Sequence, residues 1–142
     1  MTSAPRYRQP YLKLLDEFAD SPANDASVEA ALGRRALQRP GSDGTQSAID
    51  HLSKALQLGF TGSLAFEDLA NALSKQQRMV EAIDTLKQGI ELSPYAPRLH
   101  KLLIVEYINT GQYNQAKTQM RHYLDLFPED DFVRDLLGKV GR

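Results

Sequence analysis

Three histidines, His51, His100 and His122, are the side chains in this sequence best suited to acid–base or metal chemistry near neutral pH. None has a second histidine or a carboxylate at a metal-ligand spacing on its own helix face. They read as surface or packing residues. Acidic pairs recur at Asp16–Glu17, Glu67–Asp68 and Glu129–Asp131, and paired carboxylates can divide acid and base roles. Their placement suggests a simpler use, because Glu67–Asp68 and Glu129–Asp131 open helical patterns, where negative charge favours the helix N-terminus. There is no cysteine, which removes thiolate ligands, disulfides and a cysteine nucleophile. No glycine-rich phosphate loop, nucleophile elbow or zinc-protease motif occurs. The sequence offers no catalytic constellation, no metal set and no cofactor motif, and an enzyme is the least favoured class.

Charge narrows the partners. Lys and Arg number 17 against 18 Asp and Glu, so bulk electrostatics do not favour nucleic acid or an anionic membrane. No apolar run approaches the roughly 18 residues that span a bilayer. The first ten residues lack the apolar core of a secretory signal, and the default expectation is a soluble, cytoplasmic chain.

The elements that position these residues repeat. "QLGF" at Gln57–Phe60, "ELSP" at Glu91–Pro94 and "DLFP" at Asp125–Pro128 lie 34 residues apart. The same interval links Ala48, Ala82 and Ala116, and also Leu52, Leu86 and Met120. Leu56, Ile90 and Leu124 form another column, as do Ala55, Gly89 and Tyr123. Columns three or four residues apart describe one helix face. The spacing predicts three amphipathic helices at 45–57, 79–92 and 113–126. Each follows another helical pattern, in "ASVEAALGRRALQ", "SLAFEDLANALSK" and "PRLHKLLIVEYIN", across breaks at "RPGSDG", "KQQRM" and "TGQY". Gly111 suits a helix C-cap and Pro97 a first turn. Gly59 and the prolines stop the second helices so that the chain can reverse.

Paired helices at this period resemble the tetratricopeptide repeat family. Residues 63–96 match through Phe66, Leu69–Ala70, Leu73, Ala82, Leu86, Gly89 and Pro94. Residues 97–130 match through Leu103–Ile104, Tyr107, Ala116, Met120 and Pro128, and depart at His100 and Tyr123. Residues 26–62 form a degenerate unit with Leu32–Gly33, Ala48, Leu52 and Ala55, a longer turn, and Gly59–Phe60 in place of the closing proline. The resemblance implies an all-α, right-handed α-solenoid of stacked antiparallel helix pairs, about three units with flanking helices.

Residues 1–9 are expected to be disordered and 10–142 to form one helical-repeat domain. Within it, 10–20 is a lone second helix carrying Tyr11, Leu14, Leu15 and Phe18. Residues 131–140 form a capping helix with Phe132 or Val133, Leu136, Leu137 and Val140 on its apolar face.

The resemblance further implies a concave face, lined by the first helices, that binds a peptide or partner surface without catalysis. The family's groove positions fall on Ala30, Arg34 and Leu37, then on Leu64, Glu67, Asn71, Ser74 and Lys75. In the last unit they fall on Arg98, Lys101, Val105, Ile108 and Asn109. The groove candidates are Arg34, Glu67, Asn71, Lys75, Arg98, Lys101, Val105, Ile108 and Asn109. Asn71 can both donate to and accept from a peptide backbone. Four cations against Glu67 imply a mildly positive groove, and hence an acidic segment or a free C-terminal carboxylate as ligand. The cationic set with which some family members grip chaperone tails is incomplete, with Ala30 and Arg34 at its leading positions, so that ligand is not expected. The alternative reading is a structural or self-association module. An RNA-binding relative with a 35-residue period is third.

Overall fold

The structure is a computed structural model and describes residues 25–140. The N-terminal segment 1–9 and the helix expected at 10–20 lie outside the described residues. Seven α-helices make up the described chain: α1 (Ala26–Ala36), α2 (Ser42–Gln57), α3 (Ser63–Lys75), α4 (Met79–Leu92), α5 (Pro97–Asn109), α6 (Tyr113–Leu126) and α7 (Asp131–Val140). The all-α class and the paired helices follow the expectation, and α4 and α6 begin and end where the periodicity placed them. The chain divides into two compact units at Thr61/Gly62.

The first unit contains the hairpin α1–α2. Asp25 caps α1, its side chain accepting from the Ser27 amide at 2.7 Å. The core joins Leu32 and Ala36 to Ala48, Ile49, Leu52 and Ala55. Gly33 allows the closest approach: a Cβ there would lie 2.5 Å from Leu52 Cγ. One boundary differs from the sequence reading. Helix α2 starts at Ser42, almost a turn before residue 45, and takes in half of "RPGSDG". Gly44 stands inside the helix where the preceding chain runs close, with the loop carbonyl oxygen of Arg39 2.7 Å and that of Ala36, at the end of α1, 2.8 Å from where a Cβ would be. That glycine answers a close approach rather than a turn.

In the second unit the hairpins α3–α4 and α5–α6 stack, α5 packing on both α3 and α4, and α7 packs on α6. The core is built from Phe66, Leu69, Leu73, Ala82, Leu86, Leu99, Leu103, Ile104, Ala116 and Met120. Both hairpin turns close in the same way. Gly111 has φ 74°, and the Gln112 amide reaches back to the Tyr107 carbonyl at 2.8 Å. One interval earlier, Gln77 adopts φ 62° and the Arg78 amide reaches Leu73 at 2.9 Å. This left-handed helix end favours glycine, and Gln77 holds it without that advantage. Helices α4 and α6 end at Leu92 and Leu126, and Pro94 and Pro128, two residues on, keep the chain from continuing the helix.

Candidate functional site in the second unit

Helix α3 carries Glu67, Asn71 and Ser74 at helical spacing, and α5 carries Arg98, Lys101, Val105 and Ile108. The two helices are tied at two levels. Arg98 Nε donates to Glu67 Oε1 at 2.7 Å, and Ser74 Oγ donates to Glu106 Oε1 at 2.9 Å. Glu67 is buried while Arg98 is exposed, so the guanidinium covers the carboxylate. Asn71, Lys75 and Asn109 are exposed, and Ile108 is half-buried. Leu64 and Val105 are each 46% exposed, which leaves two apolar side chains on this surface.

Lys101 is not a free cation. Its Nζ lies 3.0 Å from Asp130 Oδ2 and 5.7 Å from the Tyr123 ring centroid. Asp130 also accepts from the Tyr123 hydroxyl at 2.6 Å and, through Oδ1, from the Val133 amide at 3.2 Å. It caps α7 and joins α5, α6 and α7 at one carboxylate. The Tyr123 hydroxyl and then the Lys101 ammonium hold its pKa down at about 2. The Asp130 hydrogen bond raises the Lys101 pKa. Burial is the main cause that raises the Tyr123 pKa.

The mildly positive groove expected from the cation count therefore takes a different form. Of the four cations, Arg98 and Lys101 are each paired with a carboxylate of the same unit. Arg34 is exposed on α1, in the first unit. The other eight groove candidates stand on α3 and α5.

The sequence pattern missed a buried polar network behind this surface. His100 is fully buried, with Nε2 donating to the Pro94 carbonyl at 2.7 Å and Nδ1 accepting from Gln119 at 2.8 Å. These partners fix a neutral ring. Burial, followed by the nearby His122, pushes its pKa down. His100 and Tyr123, the two departures from the repeat pattern, are neighbours with ring centroids 6.0 Å apart. In the preceding hairpin a large Phe66 meets a small Gly89; here a smaller imidazole meets a larger tyrosine. Two mismatches 23 residues apart in one unit were the available signal for this size exchange. Glu106 is also buried, and its Oε2 has no hydrogen-bond partner. In the first unit, the buried Glu29 pairs with His51 at 2.6 Å and Lys54 at 3.4 Å. Among the described residues, no group of three or more His, Asp or Glu side chains could hold a metal ion, and no helix is long and apolar enough to cross a membrane.

No protein-family model matches the sequence, and neither does any curated protein. Solved structures do match. YrrB, described as a TPR protein with an unusual peptide-binding site, superposes with a TM-score of 0.74 at 20% identity, over 97% of this chain and 70% of its own. The chain has the tetratricopeptide-repeat fold. The first TPR of Spaghetti (RPAP3), bound to the HSP90 peptide SRMEEVD, matches with a TM-score of 0.68 at 15% identity, over 82% of this chain and 90% of that one. The Arabidopsis OM64 TPR domain gives 0.65 at 14% identity, over 81% and 93%. These tetratricopeptide-repeat structures share the helical-repeat architecture with this chain. Their ligands belong to those proteins.

Proposed function

We propose that this protein is a non-catalytic interaction module that binds a peptide or partner segment on the α3–α5 surface of its second unit. The observation that carries this reading is the surface itself. Exposed Leu64 and Val105 lie on the same two helices as Asn71, which can read a peptide backbone, and as the cations Arg98 and Lys101. Peptide binding by YrrB and by the first TPR of Spaghetti supports the reading by analogy of fold.

The preferred ligand is an acidic segment or a free C-terminal carboxylate with an apolar residue beside it. Such a ligand competes with Glu67 for Arg98 and with Asp130 for Lys101. The internal carboxylates lower affinity and raise selectivity, because only a better-placed anion displaces them. Affinity of micromolar order, roughly −8 kcal/mol, suits a small surface and a peptide that must be ordered on binding.

Peptide display on the wild type and on an Arg98→Glu, Lys101→Glu variant in parallel tests this. Enrichment of acidic or free-carboxylate peptides on the wild type alone is the expected result. Equal enrichment on both, or on neither, removes the α3–α5 surface as the ligand site.

A further inference from the structure

The α5–α6 hairpin carries a pocket that shares no side chain with the α3–α5 surface. Tyr107 of α5 and Asn114, Gln115, Thr118 and Gln119 of α6 line it, and its volume is about 250 Å³. Pockets that engulf a drug-sized ligand start at roughly 300 Å³, so this one admits a short piece of a longer chain. None of the lining side chains is charged. Charge on the two second helices is mixed: α4 exposes Glu81, Asp84, Lys87 and Glu91, with Lys87 Nζ 6.0 Å from the Tyr107 ring centroid, and α6 has Lys117, Arg121 and Asp125. Neither sign prevails, so the pocket suits an uncharged ligand. Three of the α6 side chains spend a donor inside the protein. Thr118 Oγ1 donates to the Asn114 carbonyl at 3.0 Å, Gln115 Nε2 to Gln112 Oε1 at 3.4 Å, and Gln119 Nε2 to His100 Nδ1 at 2.8 Å. His100 fixes the last of these. Its Nε2–H is committed to the Pro94 carbonyl, so Nδ1 only accepts, and Gln119 must turn its nitrogen towards the ring. Thr118 Oγ1, Gln115 Oε1 and Gln119 Oε1 accept no hydrogen bond from the described residues, and the Asn114 carboxamide makes none. The repeat does not ask for this set. One interval back the same positions are Leu73, Val80, Glu81, Asp84 and Thr85, and the Thr85 hydroxyl is spent on the Glu81 carbonyl.

We propose that this pocket is a second peptide site, which takes a short, uncharged, extended stretch of a partner whose main-chain N–H groups donate to Gln115 and Gln119. The spacing fits. Residues four apart on a helix are separated by about 6 Å along its axis. Alternate residues of an extended chain, whose N–H groups point the same way, are separated by about 6.6 Å. Gln115 Oε1 and Gln119 Oε1 therefore match every second N–H of a strand lying along α6. Asn114, with its carboxamide uncommitted, can accept from and donate to the peptide group one turn before Thr118. His100 is a positioning residue here, because its tautomer decides that Gln119 offers oxygen to the pocket. The site uses other residues than the α3–α5 surface, and either reading can fail alone.

Nuclear magnetic resonance titration of the full chain tests it, with tetra-alanine blocked at both ends as the probe. The Gln115 and Gln119 side-chain amides and the Thr118 backbone amide should shift saturably, while Asn71 and Val105 of the α3–α5 surface stay still. The same peptide methylated on its main-chain nitrogens keeps the carbonyls and loses the donors, and should bind at least about tenfold more weakly. Gln115→Leu removes one acceptor from an exposed position and should weaken binding about fivefold with helical circular dichroism unchanged. Blocked tetra-aspartate should leave the pocket resonances where they are. No saturable shift with tetra-alanine, equal binding of the methylated peptide, or wild-type binding by Gln115→Leu would overturn the proposal. A methylated peptide that regains binding when one alanine is replaced by glutamine would overturn it too, since the pocket would then read a side-chain carboxamide in place of the main chain.

Discussion

His100 has both ring nitrogens committed at a site with no solvent contact. Protonation would put a second N–H against the Gln119 amide, beside His122, Tyr123 and Phe127. The folded state therefore resists a proton that the unfolded chain accepts below about pH 6.5. Stability from this group is present above that pH and is lost as pH falls. Denaturant midpoints at pH 7.5 and 5.5 should differ for the wild type and differ less for His100→Gln. Asp130 acts in a more acidic window. Its depressed pKa contributes stability above about pH 4, and this is lost as pH falls through about 2. Unfolding followed from pH 5 to 2 should be shallower for Asp130→Asn. Glu106 points the other way. One of its carboxylate oxygens is buried without a partner, a cost that an apolar side chain of similar size does not carry. Glu106→Leu should raise stability by about 1 kcal/mol, and a lower melting temperature would show that the Ser74 hydrogen bond outweighs the orphan oxygen.

At the scale of elements, two glycine-type positions should respond in opposite ways. Gln77 occupies the left-handed turn that Gly111 occupies one interval later. Gln77→Gly should stabilise the α3–α4 hairpin by about 1 kcal/mol, read from a denaturant midpoint at constant m-value. Gly89 is instead a packing position, where a Cβ would lie 2.9 Å from the Phe66 side chain and 3.1 Å from Leu99. Helix propensity favours alanine there by about 1 kcal/mol, but the clash with a buried ring should win, leaving Gly89→Ala net destabilised. Ala116 is fully buried at a helix crossing, and Ala116→Leu should cost about 1–3 kcal/mol. An unchanged melting temperature would mean that the crossing can open.

Across the whole molecule, the periodic part was legible. A fixed interval reports which residues face inward, so α4 and α6 could be placed to the residue and Gly111 and Pro97 assigned their roles. What the interval could not report was pairing between side chains of different helices. In the sequence Arg98 and Lys101 read as available charge, whereas each has a carboxylate contributed from another stretch of chain. Gly44 misled for a related reason, since a glycine that relieves a contact reads the same as one that turns the chain. In the sequence Asp130 reads as one of several helix-opening charges, whereas its place just before α7 and its bond from the Val133 amide are those of an N-cap. The near-zero net charge carries its own prediction: filter binding at low salt should retain neither RNA nor DNA.

The three-way junction at Asp130 also has a consequence in time. A helix of ten residues at the edge of a unit ordinarily frays independently of its neighbours. Because the carboxylate that receives the Val133 amide is also held by Lys101 and Tyr123, the first turn of α7 is anchored to the α5–α6 hairpin and opens less readily than the far end. Amide exchange should therefore be graded along this one short helix. Val133 should exchange as slowly as the hairpin behind it, and residues near Val140 should exchange orders of magnitude faster. In Asp130→Asn, which loses the charge holding Lys101, that gradient should flatten from its slow end.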